Sequence, residues 1–168
     1  MSNKKIIPTS LPFWSWNDEL KKDKLIKQIR KMKKDGYGGF FMHARGGLQT
    51  EYLGDEWFDN VEASIDEAKK LGMHPFAYDE NGWPSGFGGG VVNSLGIEYQ
   101  QKYLRMEDTF EHKDTAIGKC GDHYFYYDVN EFYVDTLDKK VIKKFIEVAY
   151  QPYYDKFGKD CEGYFTDE

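Results

Sequence analysis

Groups that could carry out chemistry are concentrated in four short segments of the chain, and each segment lies at the end of an apolar run. The segments are residues 14–17, 43–45, 79–81 and 167–168, and they contain carboxylates, a histidine, an arginine and two tryptophans. A pair of carboxyl groups can cleave a glycosidic bond, because one protonates the leaving oxygen and the other activates water or attacks the anomeric carbon. Indole rings add flat apolar faces with a polar edge. The combination indicates a site for carbohydrate.

The general acid is best assigned to Glu168. It follows an apolar strand whose walls would favour the protonated form of its carboxyl group, although a surface position in a turn is the alternative. His43 and Arg45 are two positions apart, so in an extended segment both side chains point to the same side. Arg45 could also close an ion pair at the mouth of the fold. The residues predicted to contact the sugar are Trp14, Trp16, His43, Arg45, Asp79, Glu80 and Trp83.

Oxygen ligands for a cation are also present. Asp79, Glu80 and Asp167 could together hold Ca²⁺, but their spacing is not diagnostic, and the sequence requires no cofactor. A transition metal at His43 would instead favour a different class, such as a metal-dependent aldolase or hydrolase. The glycine-rich stretch 86–90 matches neither phosphate-loop pattern, and we predict a mobile loop over a site there.

The elements that position these residues alternate between strand and helix. We predict strands at 11–16, 38–42, 73–78 and 162–165, with helices at 18–36, at 55–72 and from 138 onward. Pro152 should kink or end the last helix. Two β segments, 124–127 and 132–134, are predicted around a turn at 128–131, within an insertion near 100–136. Such alternation favours parallel strands joined by helical crossovers, whose carboxyl ends form the edge where active sites lie.

This order predicts an α/β fold made of the first four βα units of a (β/α)8 TIM barrel, ending at strand four. A doubly wound sheet is the alternative. A complete barrel takes about 250 residues, and the chain has 168. We therefore predict that residues 1–168 are the N-terminal half of a catalytic barrel and that the missing C-terminal half-barrel of a longer parent is its partner. Without the second carboxylate, the chain should be inactive by itself.

Composition excludes other partners. The net charge is −6, and the basic stretch 21–34 is interleaved with apolar residues at helical spacing, so a nucleic acid is not expected. No run of about 18 apolar residues is present, and the N-terminal apolar stretch is too short for a signal peptide. Cys120 and Cys161 form no CxxC pair, which favours reduced thiols. We predict a cytoplasmic protein that binds no membrane.

Five segments in this order resemble the catalytic barrel of bacterial α-L-rhamnosidases of glycoside hydrolase family 106 and their relatives. They are PFWSWN (12–17), GFFMHARGGL (39–48), YLGDEW (52–57), YDENGWPSG (78–86) and GYFTDE (163–168). The resemblance covers nearly the whole chain except about residues 100–130. It implies a large multidomain hydrolase with an inverting mechanism, an acid glutamate at the position of Glu168, and Ca²⁺ near the sugar. A carbohydrate-binding barrel without catalysis is the alternative.

Overall fold

The computed structural model describes residues 10–108 and 115–167, which form two sheets, four α-helices and several short 3-10 turns. A parallel sheet has the strand order β1-β2-β3-β7, and an antiparallel sheet has the order β4-β6-β5. The elements are β1 (Phe13–Trp16), α1 (Lys22–Lys34), β2 (Gly39–Ala44), α2 (Asp55–Leu71), β3 (His74–Asn81), β4 (Gln100–Glu107), β5 (Gly118–Cys120), β6 (His123–Val134), α3 (Lys139–Ala149), α4 (Gln151–Phe157) and β7 (Tyr164–Phe165). The predicted α/β alternation with parallel strands is confirmed.

Helices α1 and α2 cover one face of the parallel sheet. Leu25 and Ile29 lie one turn apart on the buried face of α1. Helix α2 is followed by the capping residue Gly72, whose left-handed backbone (φ 62°) suits a residue without a Cβ atom. Trp16 and Met42 point from the sheet into this layer, so the main core lies between the sheet and the two helices.

The opposite face of the parallel sheet is lined by phenylalanines from all four strands. Phe13 on β1 and Phe165 on β7 have ring centroids 4.7 Å apart, although β1 and β7 are the two outer strands. In a flat sheet, three strand spacings would separate them by about 14 Å. The sheet is therefore strongly curled, with its concave side filled by aromatic rings. Within the described residues the four strands form an open sheet and not a closed barrel.

The antiparallel sheet differs from the prediction. The predicted turn at 128–131 is wrong, because β6 runs without interruption from His123 to Val134. Asp128, whose polarity suggested a turn, pairs across the strands with Arg105 at 2.8 Å. The irregularity lies further along: Gln100 pairs with Val134, whereas the next residue of β4 pairs with Asn130.

Helix α3 joins this sheet to the parallel sheet. Val141, Phe145 and Ala149 pack on Val92 and Val134 in a second, smaller core. Helix α3 ends at Ala149 and α4 begins at Gln151, with Pro152 in its first turn, where the missing N–H costs little. The predicted break at Pro152 is confirmed. In the described part of the chain, no helix is both long and apolar enough to cross a membrane.

Candidate functional site

The carboxyl ends of β2, β3 and β7 bring several predicted site residues together. The ring of His43 lies on Tyr78 at a centroid distance of 4.0 Å and meets Trp83 edge-on at 6.3 Å. The guanidinium carbon of Arg45 lies 5.9 Å from the centre of the Trp83 ring. Asp167, at the end of β7, lies on the same edge and interacts electrostatically with His43.

Trp83 is the exposed member of this group, with 60% of its surface accessible. The Arg45 guanidinium lies over its ring, an arrangement in which the cation is attracted to the π face. Arg45 keeps N–H donors that can bind hydroxyl or carboxylate oxygens. The exposed Trp83 ring can contact an apolar C–H surface, and the neighbouring Arg45 can donate hydrogen bonds to hydroxyl groups. A ligand that has both features suits this arrangement.

His43 is almost fully buried, and its Nδ1 has no hydrogen-bond partner among the described residues. Burial first, and then the positive charge of Arg45, lower the pKa of His43 to about 4, while Asp167 opposes the shift. The imidazole is therefore neutral at pH 7. A neutral imidazole donates from one ring nitrogen and accepts at the other, so it can either donate a hydrogen bond to a hydroxyl group or accept one from it.

Asp79 is completely buried, and both of its carboxylate oxygens are occupied by protein donors. The Ser85 hydroxyl donates to Oδ1 at 2.6 Å, and the Tyr150 hydroxyl donates to Oδ2. Burial, followed by the bond to Asp79, raises the pKa of Tyr150, which keeps this phenol protonated and able to donate. The geometry makes Asp79 a link between β3 and the start of α4, and gives it no open oxygen for a sugar.

Ser85 was not predicted as a site residue, yet it joins the ends of β3 and β7. Its backbone N–H donates to Asp167 Oδ1 at 2.9 Å, and its hydroxyl accepts from the Asp167 N–H at 3.3 Å. The Tyr78 hydroxyl donates to the same Asp167 oxygen at 3.3 Å. The available signal was a small polar residue directly after Trp83-Pro84 in an otherwise glycine-rich loop.

Glu80 was predicted to contact the sugar, but its buried carboxylate faces inward, where it accepts four backbone N–H groups. Oε1 accepts from Asn81 at 2.8 Å and from Gly89 at 2.7 Å. Oε2 accepts from Phe87 at 2.7 Å and from Gly88 at 2.5 Å. The stretch 86–90, which was predicted to be mobile, is thus bound at three residues to this one side chain, and the fourth bond comes from the end of β3.

Trp14 and Trp16 were also predicted to contact the sugar, and the structure places both on the helix-facing side of β1. Trp14 packs edge-on against Phe40, and Trp16 against Trp57 at 4.9 Å. Residues two apart on a strand share a face, so the two rings stay together, but in the core. Neither ring lies on the face that carries His43.

The predicted acid Glu168 lies outside the described residues. Its neighbour Asp167 is held by Ser85 and Tyr78. Of the three predicted calcium ligands, Asp79 and Glu80 have both carboxylate oxygens bonded to protein donors, whereas Asp167 accepts bonds at Oδ1. Among residues 10–108 and 115–167, no three or more His, Cys, Asp or Glu side chains are grouped to hold a metal.

A rhamnosidase from Novosphingobium sp. PP1Y is similar in structure over 56% of this chain, with 28% sequence identity and a TM-score of 0.43. The chain spans 9% of the length of that rhamnosidase. No protein-family model matches the sequence, and no curated protein matches it significantly.

Proposed function

We propose that this chain forms part of the catalytic domain of a glycoside hydrolase, of the α-L-rhamnosidase-like class, and carries one wall of its sugar site. The observation that carries the proposal is the group formed by Trp83, Arg45 and His43 beside Asp167 at the carboxyl edge of the parallel strands. The segments that resemble family 106 include all four residues. Active sites of parallel α/β folds lie at this edge.

Three side chains have distinct roles in this proposal. Trp83 stacks on the apolar face of the sugar ring, and Arg45 donates hydrogen bonds to its hydroxyl oxygens. Neutral His43 binds a further hydroxyl through a ring nitrogen. Asp79 and Glu80 act behind this surface, since their oxygens accept from the chain itself.

Glu168 is proposed as the general acid that protonates the leaving oxygen. Asp167, directly before it in the sequence, accepts hydrogen bonds from Ser85 and Tyr78. The base that activates water would come from the remainder of the parent domain. An inverting reaction would place the two carboxyl groups roughly 6.5–9.5 Å apart, which leaves room for the water.

Sugar binding is tested on the chain itself. Saturation-transfer NMR with L-rhamnose should show transfer to the sugar protons, and Trp83→Ala should abolish it. Tyr154→Ala is the matched control, because Tyr154 is an aromatic residue of similar exposure (68%) but lies on α4. Equal signals from the two variants would refute the assignment of the sugar site.

Catalysis is tested on the parent polypeptide that contains this chain. Glu168→Gln should reduce hydrolysis of an aryl α-L-rhamnoside by about 10²–10⁴-fold, the usual range for general acid catalysis. Glu62→Gln, an exposed glutamate on α2, should leave the rate unchanged. Sugar binding without turnover in the unmodified parent would favour the alternative, a carbohydrate-binding barrel that lacks catalysis.

A further inference from the structure

The loop that follows β3 is built around an anion that the chain supplies itself. Backbone N–H groups of Phe87, Gly88 and Gly89 converge on the Glu80 carboxylate at 2.5–2.7 Å, and the Asn81 N–H joins them at 2.8 Å. Converging N–H groups of this kind form nests that bind phosphate in other proteins. Here the nest is filled from within, so these donors are not free for a ligand.

Neighbouring aromatic rings restrict the backbone conformation of the loop at two of its glycines. A Cβ atom on Gly86 would lie 2.8 Å from the Tyr133 ring, and one on Gly89 would lie 2.8 Å from the Tyr52 ring. Both glycines also have positive φ values, 96° and 64°, which L side chains rarely adopt. The rings of Tyr133 and Tyr52 thus pack on one side of the loop, and the Glu80 carboxylate accepts its backbone N–H groups on the other.

The same loop carries the exposed part of the candidate site. Trp83 lies between Gly82, whose N–H donates to the Ala44 carbonyl, and Ser85, whose N–H donates to Asp167. These two bonds fix the start of the loop to β2 and to the end of β7. The bonds to Glu80 fix its second half, so removal of the carboxylate would release residues 87–89 and loosen the segment that holds Trp83.

We propose that Glu80 is a positioning residue whose buried carboxylate templates the loop 81–89 and thereby sets the place of Trp83. Glu80 acts through the backbone of the loop and does not touch the ligand. Its effect on sugar binding rests on the proposed function, whereas its effect on the loop does not.

Hydrogen exchange of the loop amides tests the proposal directly. Glu80→Gln keeps the size of the side chain but turns an N–H donor toward backbone N–H groups, leaving at least one of them unpaired. The amides of Phe87, Gly88 and Gly89 should then exchange about 10- to 100-fold faster, in line with the loss of a hydrogen bond to a charged group. Unchanged exchange at these three amides would overturn the proposal.

Glu67→Gln is the matched control, because Glu67 is also a buried glutamate but binds Arg30 on α1 at 2.7 Å. It should leave the loop amides protected. Glu80→Asp keeps the charge on a shorter stem, so partial protection should return. This variant also serves if Glu80→Gln does not fold. Equal loosening of the loop by Glu67→Gln would show a general loss of stability and contradict the specific role.

A measurement of sugar binding distinguishes failure of the role proposed for Glu80 from failure of the proposed sugar site. If the unmodified chain binds L-rhamnose, Glu80→Gln should weaken binding about tenfold or more while the exchange of core amides in β2 stays unchanged. If the unmodified chain binds no sugar and Glu80→Gln still loosens the loop, the proposed function fails and the role of Glu80 stands.

Discussion

The two sheets of this molecule are held together in different ways. In the parallel sheet, five of the six residues of β2 are buried, and so are six of the eight in β3. In the antiparallel sheet, no residue of β4 is buried, and in β6 only Val134 is. Every predicted site residue that the structure describes lies on or next to the parallel sheet. A rigid, buried scaffold thus carries the candidate site, as precise chemistry requires.

The antiparallel sheet depends on pairs between neighbouring strands. Arg105 binds Asp128 at 2.8 Å, and the Tyr126 hydroxyl donates to Glu107 at 2.5 Å. Such exposed pairs add little stability, because water screens their charges. Burial therefore dominates in one sheet and cross-strand pairing in the other.

The sharpest test of this contrast removes one aromatic ring from each region. Trp57→Ala should lower the free energy of unfolding by about 3–5 kcal/mol, because the ring is fully buried against Trp16. Phe132→Ala, at a 64% exposed position on β6, should cost less than about 0.5 kcal/mol. Urea titrations of both variants would measure the difference, and similar losses would show that the antiparallel sheet has a buried partner.

The hydroxyl of Tyr150, between α3 and α4, bonds to Asp79 on β3, and removing it tests how much this link stabilises the fold. Tyr150→Phe removes the donor to buried Asp79 and should cost about 1.5–3 kcal/mol, the range for a hydrogen bond to a charged group. Tyr154→Phe, on the exposed side of α4, should have no measurable effect. Thermal unfolding of the two variants provides the measurement. An unaffected Tyr150→Phe variant would mean that the link to β3 does not stabilise the fold.

The pH dependence of stability tests the burial of His43 at the edge of the parallel sheet, for which the exposed antiparallel sheet has no counterpart among the described residues. Since the pKa of His43 is lowered to about 4, the unfolded chain binds a proton below about pH 6.5 while the folded chain does not. Stability contributed by His43 is thus complete above pH 6.5 and lost as the pH falls toward 4. Between pH 7 and pH 5, the unmodified chain should lose roughly 2 kcal/mol more than His43→Phe.

Denaturant titrations at the two pH values would measure this loss. Between pH 7 and pH 8 the imidazole is neutral in both states, so the two proteins should change in parallel there. Parallel behaviour between pH 7 and pH 5 as well would contradict a depressed pKa for His43.

The smallest effect is expected at an apolar residue of the antiparallel sheet. Leu104 on β4 is 68% exposed, and Leu104→Thr should change stability by less than about 0.5 kcal/mol. The matched change Leu25→Thr, in the buried face of α1, should cost several times more. A large loss from Leu104→Thr would show that this face is covered in solution.

The elements of the parallel sheet could be predicted because their signals are local. Continuous apolar runs at β2 and β3, and apolar residues one turn apart in α1, define those elements within a few neighbours along the chain. The error at Asp128 arose because its partner Arg105 is 23 residues away. A polar residue that is paired across strands has the same local signal as a turn.

The site residues were harder to predict for two physical reasons. A strand period of two shows that Trp14 and Trp16 share a face, but not that this face meets the helices. Glu80 is recognised only by its partners, which are backbone N–H groups that every residue of a loop possesses. His43, Arg45 and Trp83 were predicted and lie together, because they follow strands whose parallel order was clear from the sequence.

The internal carboxylate of Glu80 has a consequence for the thermodynamics of ligand binding. A loop that must order around its ligand loses conformational entropy at that moment, and this loss weakens the affinity. Here the segment 81–89 is ordered by bonds within the chain, so the entropy has already been lost during folding. A sugar that stacks on Trp83 should therefore bind with little additional ordering of the protein, and calorimetry should record only a small entropic penalty.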